Sequence, residues 1–361
     1  MNRAIRTLVL VVVSAAALAS AGTALAAYTT PKLLVTDAPP ALTINFTQSA
    51  GDDPTAKLTF YAPTEYSPSL AQPAGQTIGT VRAQGTAADL GGALLPLTGT
   101  VQVRAGSGTY LSGTTQVPIA VAATQCTGTA THTAFWVLIL QAAGQTLELP
   151  VFVDRVSAPP ASAFASASIQ ACLPPPDVPT GTPGRATFGF KLTTVDFTVN
   201  NVFTSAGTGQ PRWRVLATPY NPGKGTPNAA GSVEAQSIVG FPRSLALRKP
   251  TVKAGKGTAT VSIRGTATLP AGAAASVVLY RGAKTAGQRS AVLRVSGTSV
   301  SGTLRIKQTA KAQTVFLQAR ATVAAGTAAC TATFGVSCLS ATRAAIAVRS
   351  NSVRIVIPRK R

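Results

Sequence analysis

Few side chains in this sequence could carry out acid–base or nucleophilic chemistry. The 361 residues include one histidine, His132, four cysteines and ten aspartates and glutamates. A hydroxyl–histidine–carboxylate triad would have to use His132, which alternates with Ala130 and Ala134 in the manner of a strand. The sequence contains no G-x-S-x-G, Walker A or dinucleotide-binding motif. We therefore predict a structural histidine, no catalytic residue and no enzymatic activity.

A pair of carboxylates is the other catalytic arrangement that the composition permits. Glycosidases place two carboxyl groups about 5–10 Å apart in a cleft, whereas most acidic residues here lie beside turns or strand ends. The pair Asp52 and Asp53, between a glycine and a proline, predicts a hairpin turn, with a loose Ca²⁺ site as the alternative. An exported hydrolase acting on polysaccharide stays open as an alternative function, and Glu148 and Asp154 are a pair to test for it.

The four cysteines predict disulfides. They are Cys126, Cys172, Cys330 and Cys338, and an even number in an exported chain is typical of disulfide bonding. Of the three possible connectivities, proximity and domain membership favour Cys126–Cys172 and Cys330–Cys338. The second pair would close the loop "TATFGVS" at a hairpin. Because no CxxC motif occurs and histidine is nearly absent, we predict no metal site and no cofactor.

Basic residues are concentrated in the last third of the chain. The formal net charge is +22, and residues 235–361 contain 20 lysines and arginines without a single aspartate or glutamate. At ordinary usage this stretch would hold roughly 15 acidic residues. A surface of this kind repels itself and has no internal carboxylate to offset the repulsion. The imbalance therefore predicts an anionic partner outside the chain.

Several of these cations alternate with apolar residues, which predicts that they lie on the outer faces of strands. Strand alternation and the basic C-terminus identify nine candidate polyanion-binding residues: Arg264, Arg294, Arg305, Lys307, Arg349, Arg354, Arg359, Lys360 and Arg361. Single-stranded nucleic acid would require stacking aromatic side chains, and few occur here. We therefore expect anionic cell-wall polymers or acidic polysaccharide as partners and no specific nucleic acid; a basic surface without any specific partner is the simplest alternative.

The pattern of the chain predicts an all-β protein made of antiparallel β-sandwich domains. Glycine, threonine, serine and proline are abundant, and short alternating segments recur between turns. The segment "HTAFWVLILQ" is apolar on both faces, which predicts a central strand followed by a turn at residues 142–145. The segment "QVPIAVAAT" is predicted to be a strand. Trp213, between Arg212 and Arg214, is predicted to be a core residue, with a sugar-stacking platform as the alternative.

Three parts of the chain differ in composition. Residues 1–26 have a basic start, an apolar core and the small-residue pattern Ala24-Leu25-Ala26, which predict a cleaved signal peptide. Residues 27–243 are predicted to form one large or two small N-terminal β-sandwiches. Residues 244–361 contain seven short strands, the number expected for an immunoglobulin-like sandwich. No later segment is long or apolar enough to span a bilayer.

The final segment resembles known extracellular modules. The stretch "LRKPTVKAGKGTATVSIRGTATL" followed by "ASVVLYRG" is similar to the opening strands of the Ig-like and fibronectin type III-like modules of secreted, high-GC Gram-positive (actinobacterial) surface proteins. The resemblance implies an Ig-like architecture for the C-terminal segment only and implies no ligand. Together with the signal peptide, it predicts a secreted or cell-wall-associated, non-enzymatic envelope protein; a surface fibre or coat subunit is a further alternative.

Overall fold

The computed structural model describes residues 28–205, 210–239, 244–268 and 275–360. The predicted signal peptide and Arg361 lie outside these residues. Within them the chain is built from strands that pair mostly antiparallel, which confirms the all-β prediction. In the part of the chain that the structure describes, no helix has the length and apolarity needed to cross a membrane.

The first 15 strands precede residue 244. They are β1 (Lys32–Ala38), β2 (Ala41–Thr47), β3 (Thr55–Pro63), β4 (Tyr66–Pro68), β5 (Thr77–Ala87), β6 (Ala93–Arg104), β7 (Thr109–Ser112), β8 (Thr115–Pro118), β9 (Ala134–Ala142), β10 (Gln145–Arg155), β11 (Ala165–Cys172), β12 (Phe190–Asn200), β13 (Phe203–Ser205), β14 (Arg212–Pro219) and β15 (Val233–Ile238).

The remaining 11 strands follow residue 243. They are β16 (Ser244–Leu247), β17 (Thr251–Lys253), β18 (Thr258–Thr268), β19 (Ala275–Gly282), β20 (Gln288–Ser296), β21 (Ser299–Lys307), β22 (Gln313–Val323), β23 (Gly326–Ala328), β24 (Ser337–Arg343), β25 (Ile346–Arg349) and β26 (Val353–Ile357). The helical elements of the described residues are α1 (Ile119–Thr127) and four 3₁₀ turns, Ala88–Leu90, Ala161–Ala163, Thr187–Gly189 and Ala229–Gly231.

The helix α1 corrects the prediction of a strand at "QVPIAVAAT". Only Thr115–Pro118 is extended; the alanine-rich segment that follows is helical because alanine favours the helix. Pro118 directly precedes the helix, at a position where its missing N–H is not needed. Gly128 ends the helix with a left-handed φ of 82°, which glycine adopts without a steric penalty.

A first sheet of 13 strands curls back on itself around an apolar core. Its order is β1-β2-β12-β5-β6-β9-β10-β11-β3-β14-β15-β24-β23. The two ends meet through side chains: Val35 N donates to Ser237 Oγ at 2.8 Å, and Ser340 Oγ donates to Pro31 O at 3.3 Å. Inward residues of 11 of these strands, all except β23 and β24, share one core.

The strand β9 lies in the middle of this sheet and is covered on both sides, as predicted. Trp136 and Leu138 point into the core, while Val137 packs on the outer face against α1 and Phe152. The predicted turn after it is also present. Ala143 and Gly144 have φ values of 48° and 77°, the two positive angles of a tight hairpin turn.

A second sheet, in the order β16-β18-β21-β20-β19-β22-β25, folds around its own core, which includes Ile263, Leu279 and Leu317. Strand β17 pairs with β18, and β26 pairs with β22. Strand β20 pairs with β19 in its first part and with β21 in its last part, so it joins two halves that face each other. This arrangement is consistent with a β-sandwich, and all seven strands predicted for this segment are present.

One excursion of the C-terminal segment leaves the second sheet. Strands β23 and β24 pair with each other, and β24 runs parallel to β15 of the first sheet. The disulfide Cys330–Cys338 joins the loop after β23 to β24, and the disulfide Cys126–Cys172 joins α1 to β11. Both disulfides have the predicted pairing. The division of the chain into domains near residue 244 stays a prediction. The structure shows that one segment from beyond this boundary, β23 and β24, joins the first sheet.

Candidate functional site

The basic residues predicted to bind a polyanion lie on the surface of the second sheet. Eight of the nine are among the described residues, and all eight are exposed: Arg264, Arg294, Arg305, Lys307, Arg349, Arg354, Arg359 and Lys360. The ninth, Arg361, lies outside the described residues. Strand alternation therefore placed the charged side chains on the correct side of each strand, because the intervening apolar residues fill the core.

Strand register brings part of this set together on one outer face. Ser301 of β21 lies opposite both Arg264 of β18 and Arg294 of β20, so these two arginines occupy one row across three strands. Residues paired across strands share a face, and neighbouring strands lie about 4.8 Å apart, so the row is about 10 Å wide. Arg305 and Lys307 extend the field along β21. We call Arg264, Arg294, Arg305, Lys307 and Lys253 the basic face.

Lys253 is a member that the sequence did not identify. It lies opposite Thr260, which in turn lies opposite Arg305, so it forms a second row parallel to the first. Its strand β17 has only three residues. A strand this short shows no alternation of its own, and its pairing with β18 is the only signal of which way Lys253 points.

The other predicted cations form separate groups. Arg349 lies opposite Arg320, and Arg354 lies opposite Phe316, on the outer face of the other half of the sheet. Arg359 and Lys360 lie at one end of the fold, where Gln308 Nε2 donates to Arg359 O at 3.2 Å and Lys360 N donates to Thr309 O at 2.8 Å. The nine residues are therefore distributed over more than one surface.

Among the described residues, no ion pair involves a residue of the basic face. The ion pairs formed by the described residues are Arg104–Glu148, His132–Asp154, Arg185–Asp89 and Arg214–Glu234. Each carboxylate in them comes at or before Glu234, because the sequence has no acidic residue beyond that point. An anion that approaches the basic face therefore does not compete with an internal carboxylate.

A second candidate site is a cavity of about 400 Å³ inside the curled first sheet. Its inner wall is apolar and includes Ile44, Val81, Leu138, Leu149 and Ile169 from five different strands. The opposite end of the sheet is closed by aromatic packing, where the ring centroids of Tyr66 and Phe203 lie 5.3 and 5.4 Å from that of the fully buried Trp213. Trp213 is thus a core residue, as predicted.

The opening of this cavity is polar. Lys191 Nζ donates to Ala50 O at 2.7 Å and also to Asp52 O, and burial lowers the pKa of Lys191. Arg185 donates twice to Asp89 at 2.7 Å, and these hydrogen bonds raise the pKa of Arg185. The side chain of Asp52 accepts from Thr29 N and Thr30 N, at 3.1 and 3.2 Å, so it anchors the start of the described chain.

The histidine lies in a hydroxyl–histidine–carboxylate arrangement that the sequence did not reveal. His132 Nδ1 is 2.7 Å from Asp154 Oδ2, and His132 Nε2 is 3.0 Å from Thr127 Oγ1. The His132 side chain is 0% exposed, and the Thr127 hydroxyl also contacts Ala123 O at 2.8 Å. A substrate could not reach this imidazole, and the contacts instead fasten the end of α1 to β10.

The carboxylates suggested for a hydrolase are too far apart to act together. Glu148 and Asp154 are six residues apart on β10, which corresponds to about 20 Å along a strand. This exceeds the spacing of about 5–10 Å that glycosidases use. Each also has a structural partner: Arg104 donates to Glu148 at 3.2 Å, and Thr133 N donates to Asp154 at 3.0 Å.

The excursion of the C-terminal segment docks on the first sheet through a buried carboxylate. Glu234 is 0% exposed and accepts from Gln236 Nε2 at 2.6 Å and from Thr333 N at 2.7 Å. Arg214 Nε lies 3.6 Å from the same carboxylate and 3.0 Å from Thr333 Oγ1. We call residues 330–338, closed by Cys330–Cys338, the disulfide loop.

Comparison of the chain with known protein families and with curated proteins gives no match.

Proposed function

We propose that this is an exported, non-enzymatic protein of the cell envelope that associates with anionic polymers through its basic face. The single observation that supports the proposal is the double row of exposed cations on β17, β18, β20 and β21, in a segment without acidic residues. Anionic cell-wall polymers and acidic polysaccharides present repeated negative charges, and a flat row of cations matches such a ligand better than a deep pocket would.

Export and an Ig-like architecture belong to the same proposal. The two disulfides are compatible with an oxidising compartment. The folded second sheet is compatible with the resemblance to Ig-like and fibronectin type III-like modules of secreted actinobacterial surface proteins. In this proposal the second sheet holds the protein at the envelope. The first sheet then presents a surface away from the envelope or assembles with other copies.

The proposal predicts binding that weakens steeply with salt. The full chain would be titrated with polygalacturonate, a carboxylated polymer, and with isolated cell envelopes. Raising NaCl from about 0.01 M to about 1 M shortens the screening length from about 30 Å to about 3 Å. We expect the affinity to fall by at least about ten-fold over this range, because exposed charges are strongly screened. Binding that is unchanged by salt would overturn the proposal.

A pair of matched variants distinguishes the contribution of the basic face to polymer binding from that of the net charge. Replacement of Arg264, Arg294, Arg305 and Lys307 by glutamine removes four charges from the basic face. The control replaces Arg281, Lys284, Arg289 and Lys311 by glutamine and removes the same number of charges outside the basic face and outside the nine predicted residues. We expect the first variant to lose most of the polymer binding and the control to keep most of it. Equal losses would mean that net charge alone determines the binding.

A further inference from the structure

We propose that the cavity of the first sheet binds the hydrocarbon chain of a single-chain amphiphile such as a fatty acid. This inference does not depend on the proposed function, because the cavity lies in the first sheet and the basic face lies on the second. Its volume of about 400 Å³ falls within the range of about 300–1,000 Å³ that is typical of small-molecule sites.

The distribution of polar atoms around the cavity selects a hydrocarbon. Apart from Glu148 of β10, its polar and charged lining residues come from loops, the hairpin β7–β8, the end of α1 and strand ends, whereas the other strand residues of the lining are mostly apolar. Leu147 and Leu149 are half-buried there although they point inward. If a ligand carried polar groups along its length, those groups would find no hydrogen-bond partners in this apolar interior, which is unfavourable. A plain alkyl chain carries no such penalty.

A gap in the strand pairing provides an entrance to the cavity for an alkyl chain. Strand β10 pairs with β11 only from Val151 to Arg155, whereas its pairing with β9 begins at Gln145. The first six residues of β10 therefore form one side of a slot, and the segment after Cys172, which includes Leu173 and Pro174, forms the other. The inward residues Leu147, Leu149 and Val151 of β10 cover about 13 Å along the strand.

The opening of the cavity carries both cations and carboxylates. Lys191 and Arg185 both line the cavity there. Arg185 is paired with Asp89, and the charge of Lys191 lies near Asp52, Asp53 and Asp177. The charges at the opening therefore balance, so the alkyl chain rather than the sign of the head group is what the cavity recognises.

Displacement of a fluorescent fatty acid from the full-length protein tests the inference. Alkyl carboxylates of increasing length, from about eight to about sixteen carbons, should bind roughly four-fold more tightly per added methylene until the cavity is filled. Dodecanoate and dodecanol should both compete, because they share the same alkyl chain. Absence of any chain-length dependence would overturn the cavity assignment.

Matched variants distinguish the cavity from adsorption on the surface. Leu149→Trp would fill the cavity and is expected to weaken binding at least about ten-fold, since several methylenes would be excluded. Leu94→Trp is the control, because Leu94 is 62% exposed on the outer face of β6 and does not line the cavity. Ala83→Leu, a smaller change on β5, serves if Leu149→Trp fails to fold. Equal binding by a folded cavity variant and the control would contradict the inference.

Discussion

Replacement of Glu234 by alanine is expected to lower the free energy of unfolding by about 3–5 kcal/mol, the loss typical of removing one partner from a buried ionic network. Glu234 is fully buried and joins β15 to the disulfide loop by accepting from Thr333 N and Thr333 Oγ1. Its removal also leaves Arg214 without its carboxylate; burial already lowers the pKa of Arg214. The disulfide loop should then detach from the first sheet.

Urea unfolding followed by far-ultraviolet circular dichroism measures this loss. Asp196→Ala is a suitable control, because Asp196 is an acidic strand residue whose hydrogen bond to Asn45 Nδ2 is exposed. We expect the control to change stability by no more than about 0.5 kcal/mol. Glu234→Gln keeps the shape of the side chain and some of its hydrogen bonds, so its loss of unfolding free energy should lie between those of the two alanine variants. If Glu234→Ala were as stable as Asp196→Ala, the carboxylate would not hold the loop.

Detachment of the loop has its own measurable signature. Phe334 packs against Tyr61 and Phe164, with ring centroids 4.9 and 5.5 Å apart. Loss of the Glu234 contacts should expose these rings and change the near-ultraviolet circular dichroism before global unfolding. A variant that lost stability without this change would place the defect within the first sheet.

Local features of the fold followed from the sequence because they depend on neighbouring residues. Alternation around Arg305 and Ile306 predicted which side chains face outward, and the turn at Ala143 and Gly144 followed from its residue types. The pairing of Cys330 with Cys338 followed from their closeness along the chain. Each of these patterns lies within about ten residues, the scale at which strand period and turn chemistry operate.

Long-range features could not be predicted in the same way. The docking of Thr333 on Glu234 joins positions 99 residues apart, and nothing in either segment specifies its partner. The cavity depends on how far the first sheet curls, which is a property of all its strands together. The helix α1 was missed for a local reason: a short apolar run of nine residues after a proline, with three alanines and one valine, is ambiguous between strand and helix.

The contact between Thr127, His132 and Asp154 illustrates the same limit. The sequence identified His132 as structural, but it gave no partner for either ring nitrogen. The structure supplies both partners, one from the end of α1 and one from β10. A triad-like geometry thus occurs where the end of α1 is tied to β10, around an imidazole that is fully buried.

The disulfide Cys126–Cys172 is expected to be the second large contributor to stability. Replacement of both cysteines by serine should lower the free energy of unfolding by about 4 kcal/mol, since the bond joins residues 46 positions apart and restricts a long loop of the unfolded chain. It also holds α1 over Val137 and Phe152, so part of the loss would come from weaker packing of the helix.

The second disulfide is the matched control for this prediction. Cys330 and Cys338 are only eight positions apart, so their replacement by serine should cost about 2.5 kcal/mol by the same loop-closure argument. Urea unfolding of both double variants measures which disulfide contributes more to stability. Mass spectrometry confirms that the remaining disulfide is intact in each variant. If the shorter loop proved the more important, native contacts of the disulfide loop with Glu234, rather than the entropy of the unfolded chain, would dominate its contribution.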